Sequence, residues 1–141
     1  MQVRPAASEA EAAAALDLRE RVFCGEQGVS AAADRDGRDP EALHIVALDD
    51  GRIVGTCRVL FDQDLARLGR MAVEAPLRGH GIGRAVLDAA ESEARARGAA
   101  RMRLHAQTSA VALYERAGYS AVGDVFMEEG IPHLTMEKEL A

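Results

Sequence analysis

Apolar positions along the chain recur with two periods, near two in some stretches and near 3.6 in others, and the changes between them mark out the elements. Met1-Gln2-Val3-Arg4-Pro5 opens with a short strand over residues 2–5. Ser8, with Glu11 three residues on, has capping-box spacing and starts a helix that the pattern carries to about Phe23. Gln27 to Pro40 is rich in Gly, Asp and Ala and reads as irregular or briefly helical, a substrate-side wall rather than a domain linker. Leu43 to Leu48 and Arg52 to Phe61 are apolar-rich strands joined at Asp49-Asp50-Gly51, a hairpin signal. Leu68 to Val73 gives a fourth strand. Ile82, Val86, Ala89, Ala90 and Glu93 then fall at helical spacing, and Gly98 stops that helix. Arg101 to His105 alternates as a strand. Ala110, Leu113, Tyr114 and Ala117 share a helical face that ends at Gly118, and two strands follow near Tyr119 to Met127 and Pro132 to Lys138.

This order of elements is that of a mixed α/β chain, and its 141 residues suit one domain over 1–141. A domain of that size buries roughly two-thirds of its unfolded surface, enough for a core without staples. Cys24 and Cys57 lack C-x-x-C spacing and read as reduced thiols. No apolar run approaches the ~20 residues of a membrane span, and the polar N-terminus lacks the shape of a signal peptide. The expectation is a soluble, cytoplasmic protein with no membrane partner. The net charge of −6, with no basic stripe, argues against nucleic acid and mildly favours cationic, amine-bearing substrates. Four scattered histidines show no ligand spacing, so no metal is expected.

The chemistry concentrates in Arg78-Gly79-His80-Gly81-Ile82-Gly83-Arg84, between the fourth strand and the long helix. Glycines at 79, 81 and 83 let the backbone take positive φ and close on an anion with its N–H groups, and the helix adds its positive end. A Walker loop would need a lysine here, but the one lysine is Lys138. A dinucleotide fingerprint would need G-x-G-x-x-G, whereas the chain reads G-x-G-x-G.

The stretch resembles instead the R-x-x-G-x-G signature of the GNAT acetyltransferases, carried by Arg78, Gly81 and Gly83. Gln107-Thr108-Ser109-Ala110-Val111-Ala112-Leu113-Tyr114-Glu115-Arg116-Ala117-Gly118-Tyr119 is similar to the family's second motif, N-x-x-A-x-x-L-Y-x-x-x-G-F. It departs at Gln107, where asparagine is usual, and at Tyr119, which replaces phenylalanine. Arg21 to Gln27, Asp34, Asp36, His44, Glu128 to His133 and Met136 extend the resemblance to the ElaA-like branch, in which Gln107 belongs to the pattern.

The resemblance implies a mostly antiparallel central sheet of six to seven strands, splayed at a parallel central pair and flanked by about four helices. It also implies acetyl-coenzyme A as co-substrate and direct transfer of acetyl to a primary amine, with no covalent enzyme intermediate. Backbone groups of Met71, Ala72 and Val73 would hold the pantetheine amide and thioester oxygen, a bulge there aiming N–H groups at developing negative charge. Arg78, Gly79, His80, Gly81, Ile82, Gly83 and Arg84 would take the phosphates, with Gln107 also on the cofactor. Tyr114 would face the sulfur and stabilise the leaving thiolate. An amine near pKa 10.4 is only about 0.04% neutral at pH 7, so a base or a proton wire should help. Glu26, Glu74, His44, His105 and His133 are the candidates, with Glu26 and His133 lying in branch motifs. A small amine, a peptide N-terminus and a protein lysine all stay open as acceptors. So does a module that binds acyl-coenzyme A without turnover. Pairing of two copies through a sheet edge or helix is the expectation for assembly.

Overall fold

The structure is a computed structural model and describes residues 1–140. Its first strand, β1 (Gln2–Pro5), lies antiparallel on β2 (Leu43–Asp49), with Val3 opposite Ala47. Between them runs α1 (Glu9–Arg19). Ser8 Oγ accepts from the Glu11 N–H at 3.1 Å, as the capping spacing expects, while the Glu11 carboxylate accepts from Ala7 N–H at 2.7 Å and pairs with Arg4. The winding does not simply continue to Phe23. At Glu20 it loosens into a π-helical turn over Glu20–Glu26, closed by Gln27 N–H on Val22 O at 3.2 Å. Such turns reset the helical phase, and here the reset delivers Arg21, Glu26 and Gln27 to cleft contacts.

The hairpin from β2 to β3 (Arg52–Asp62) turns at Asp50 and Gly51, whose φ values of 52° and 76° are both left-handed, as its sequence demands. β4 (Leu65–Val73) begins three residues before the expected Leu68, because a turn with Gln63 at φ 56° already reverses the chain. Leu65 and Ala66, neighbours on opposite faces, are both buried, so the alternation that marks a strand is lost there. α3 (Ile82–Ala96) ends as expected, with Gly98 at φ 85° and Ala99 N–H bonded to Ala94 O at 2.9 Å. β5 (Arg101–Gln107), α4 (Val111–Arg116), β6 (Ser120–Glu128) and β7 (Ile131–Glu139) complete the chain.

The seven strands stand in the order β1-β2-β3-β4-β5-β7-β6, antiparallel throughout except at β4–β5. That pair is parallel because the crossover through α3 separates the two strands in sequence. One face of the sheet packs Ile45, Val59, Leu68, Met102 and Met136 against Val86 and Leu87 of α3. On the other face Val46, Leu48, Ile53 and Ala72 meet Ala15, Leu18 and Val22. The lone lysine is structural: Lys138 Nζ donates to buried Glu91 at 2.9 Å, and Tyr119 OH holds the other carboxylate oxygen at 2.9 Å.

The 27–40 segment, which contains α2 (Ala31–Asp34), is pinned by three arginines, one from α1 and two from the sheet. Arg19 donates to Asp39 at 2.6 Å and to Asp34 O at 2.9 Å, Arg58 to Asp36 at 2.8 Å, and Arg70 to Ala33 O at 3.0 Å. Arg19 and Asp34 are 0% and 2% exposed, so each needs the other. Hydrogen bonds from Arg58 hold the Asp36 carboxyl well below the usual range.

Candidate active site

β4 and β5 are paired from Leu65–Arg101 to Leu68–Leu104 and no further, although β4 runs on to Val73 and β5 to Gln107. Beyond Leu68 the two strands part. β4 stays on β3, with Thr56 opposite Ala72 and Gly55 opposite Val73, while β5 stays on β7, with Gln107 opposite His133. The β5-facing edge of residues 69–73 therefore has no strand partner among the described residues. At its start lies a bulge: Gly69 faces Arg58 and Ala72 faces Thr56, so Arg70 and Met71 together oppose Cys57, with Arg70 at φ 55°. The Arg70 side chain, held by Ala33 O and Asp36, offsets the strain of that left-handed residue.

Next to the gap is the glycine loop. Gly79 and Gly81 have φ of 82° and 85°, and a Cβ on either would meet nothing within 4 Å. Gly81 caps α3 with no side-chain acceptor, which leaves the first helical N–H groups free for an anion. Gly55 brings this helix close: a Cβ there would stand 2.7 Å from Ile82 Cγ2. An open, uncapped cradle beside an unpaired strand edge fits a pyrophosphate-bearing ligand with an amide-containing arm.

A cavity of about 700 Å³ runs along the open β4 edge and meets the glycine loop at Arg78 and Gly83. Met71, Ala72, Val73, Arg78, Gly83, Gln107, Tyr114 and His133 line it; Glu26, Gly79, His80, Gly81, Ile82 and Arg84 do not. Ile82 is buried in the core and His80 is exposed. Arg84 spends its Nε on Asp88, one turn along its own helix, at 3.0 Å. Arg78 reaches Val73 O at 2.9 Å and both oxygens of Glu26 at 2.8 and 3.0 Å.

Tyr114 is 5% exposed and has no hydrogen-bond partner among the described residues, and its ring meets Tyr119 edge-on at 5.9 Å. Burial pushes its phenol well above the ordinary value, so it stays protonated across neutral pH. Of the base candidates, Glu74 is taken by Arg21 at 2.5 Å, and His44 Nε2 by Asp39 O at 3.0 Å. His105 and His133 reach the cavity. Sequence reasoning missed Gln27, whose amide exchanges hydrogen bonds with Gln107 across the cleft at 2.8 and 3.4 Å, because the π turn that aims it has no periodic signature. It also gave Glu128, beside His105 and His133, no role. Among the described residues no group of three or more His, Cys, Asp or Glu is arranged to hold a metal, and no helix is long and apolar enough to cross a membrane.

The family model for the acetyltransferase (GNAT) domain matches residues 4–140. The chain belongs to the GNAT acetyltransferases. YjcF of Bacillus subtilis (strain 168), an uncharacterized N-acetyltransferase, is 36% identical over 89% of this chain and 90% of its own length. A solved Lactobacillus plantarum structure is 34% identical with a TM-score of 0.91, covering 99% of this chain and 98% of that one. The crystal structure of Escherichia coli ElaA is 27% identical with a TM-score of 0.86, covering 98% of this chain and 97% of its own. The branch resemblance carried by the sequence motifs is thus matched in three dimensions, and the fold has the expected splayed parallel pair within a seven-stranded sheet.

Proposed function

We propose that this GNAT domain transfers acetyl from acetyl-coenzyme A to a primary amine, by direct attack with both substrates bound. The observation that carries the reading is the loss of β4–β5 pairing beyond Leu68, which opens main-chain groups of residues 69–73 onto the same cavity as Tyr114 and His133. When bound, acetyl-coenzyme A supplies an acyl group activated as a thioester. Met71, Ala72 and Val73 hold its arm and polarise the carbonyl from the bulged edge. The loop at Gly79 to Gly83 and the α3 N-terminus take the phosphates.

Tyr114 donates a hydrogen bond to the departing sulfur. Its raised pKa makes outright proton loss costly, so donation without full transfer is its contribution. His133 is the better placed base. Its Nδ1 lies 2.7 Å from Ile131 O, and a carbonyl only accepts, so Nδ1 carries the proton and Nε2 is the nitrogen left to take another. Both oxygens of Glu26 are already spent on Arg78, which makes Glu26 an orienting partner of the loop in this reading.

The test is release of free thiol from acetyl-coenzyme A with a panel of amines, peptides and lysine-bearing proteins. Wild-type turnover with at least one acceptor, and its loss in His133→Gln with ligand affinity retained, is the expected result. Ligand binding with no thiol release for any acceptor would instead mark a module that senses acyl-coenzyme A.

A further inference from the structure

Two histidines and a carboxylate stand together on the cavity wall, His105 on β5, His133 on β7 and Glu128 at the end of β6. His133 Nδ1 is fixed on Ile131 O, while its Nε2 lies 3.6 Å from Glu128 Oε2. The other carboxylate oxygen of Glu128 lies 3.2 Å from His105 Nδ1. Phe126 spaces the group, stacked on His133 at 6.0 Å and edge-on to His105 at 5.0 Å. All of this sits at the level of the open β4 edge, since His133 is in register with Gln107, three residues past the last β4–β5 pair.

The 3.6 Å separation is too long for a hydrogen bond between the two, and with His133 neutral both facing atoms are acceptors. A third group bearing at least two N–H donors satisfies both at once. The surroundings ask for that group to be a cation. Among the described residues no arginine or lysine pairs with Glu128, because nearby Arg103 is tied to Glu137 and Arg70 to the 33–36 segment, while Glu129 adds a second acid to the cavity wall. His133 is 7% exposed and Glu128 about half exposed, so the pair opens to the cavity through the carboxylate.

We propose that Glu128 Oε2 and His133 Nε2 form the seat for the reacting ammonium, with Glu128 as the residue that selects a cationic primary amine. The inference rests on the acetyl transfer proposed above. One ammonium proton passes to His133 Nε2, and Glu128 then faces the imidazolium so formed. The freed lone pair forms the nitrogen–acyl bond as the acyl–sulfur bond breaks. The nitrogen's second proton leaves with the thiol, and His133 returns the first to solvent. His105 positions Glu128 from its other side.

The experiment follows the His133 imidazole by NMR while n-butylammonium is added to the protein with coenzyme A present, in wild type and Glu128→Gln. Saturable shifts of the Nε2 side are expected in wild type, with affinity at least ~10-fold weaker in Glu128→Gln, as loss of a charge-assisted bond requires. Tetramethylammonium, which has the charge but no N–H, should leave His133 unmoved in wild type, an arm that needs no variant. Equal n-butylammonium affinity in the two proteins, equal response to tetramethylammonium, or no saturable shift in wild type would each overturn the seat. Stabilisation by acetyl-coenzyme A is measured in parallel. Its absence in wild type overturns the transferase reading, whereas its presence with a failed amine titration overturns only the seat.

Discussion

Glu26 and Arg78, 52 residues apart in sequence, meet at the cleft mouth in a two-pronged ion pair, 2.8 Å at Oε1 and 3.0 Å at Oε2. The same guanidinium donates to Val73 O at 2.9 Å. One side chain thus ties the end of the π turn to the end of β4 and to the start of the glycine loop. The Arg78 and Glu26 side chains are 44% and 40% exposed, and pairs so exposed contribute only about 0–1 kcal/mol to stability. Arg78→Ala should therefore shift the unfolding midpoint by no more than a few degrees while weakening acetyl-coenzyme A by ~10-fold or more. Unfolding curves and ligand titrations on one preparation check both halves.

Gly81→Val separates the fold from the ligand. Beyond its chain neighbours, no atom of the described residues lies within 4 Å of the added Cβ, so the cost to the protein is the left-handed strain at φ 85°, of order 1–2 kcal/mol. The new side chain projects into the space assigned to the phosphates. A folded variant without measurable affinity for acetyl-coenzyme A is expected; unaltered affinity would displace the loop from the site.

Tyr114→Phe deletes one hydroxyl that no described residue holds, so packing and ligand affinity should survive. Thiol release should fall by ~10²-fold or more, because only the departing sulfur loses a donor. Equal losses in affinity and rate would show instead that the hydroxyl serves binding.

Stability should fall at both ends of the pH scale. Burial raises the pKa values of Cys57, Tyr114 and Tyr119 in the folded state, so above the unfolded values of about 8.5 and 10 the unfolded chain sheds protons that the folded chain keeps. Their contribution is complete below that range and is lost progressively as pH rises from it toward the raised folded values. Asp36 is lowered by its bonds from Arg58, and Asp39 is lowered because Arg19 and Arg58 outweigh its burial. Their contribution is present above about pH 3.9 and lost as pH falls below it. The unfolding midpoint should be flat from about pH 5 to 8, with Cys57→Ala delaying the alkaline decline and Asp36→Asn flattening the acid one. A midpoint still constant at pH 10.5 would contradict the alkaline half.

Features set by neighbours in sequence were legible, and those set by distant partners were not. The Asp49-Asp50-Gly51 turn, the Ser8 cap and the Gly98 stop each follow from a few residues, and each stands where expected. The left-handed glycines of the 79–83 loop were equally local. The π turn at Glu20–Glu26 had no such signal, because its phase is set by docking Val22 beneath the sheet while Arg21 reaches Glu74. Asp34 and Asp36 stood in the branch pattern without a partner, and Asp39 as loop polarity, until Arg19, Arg58 and Arg70 came from three other elements to neutralise them. Glu128 was hidden for the same reason: its partners His105 and His133 are 23 residues before it and just beyond a turn.

If the loop and the open β4 edge together hold acetyl-coenzyme A, thermal unfolding with acetyl-coenzyme A, ATP and NAD will show it. Acetyl-coenzyme A at ~100 times its dissociation constant should add about 2.7 kcal/mol of apparent stability, an upward shift of several degrees that ATP and NAD do not reproduce. No shift at saturating acetyl-coenzyme A, or an equal shift with ATP or NAD, would contradict it.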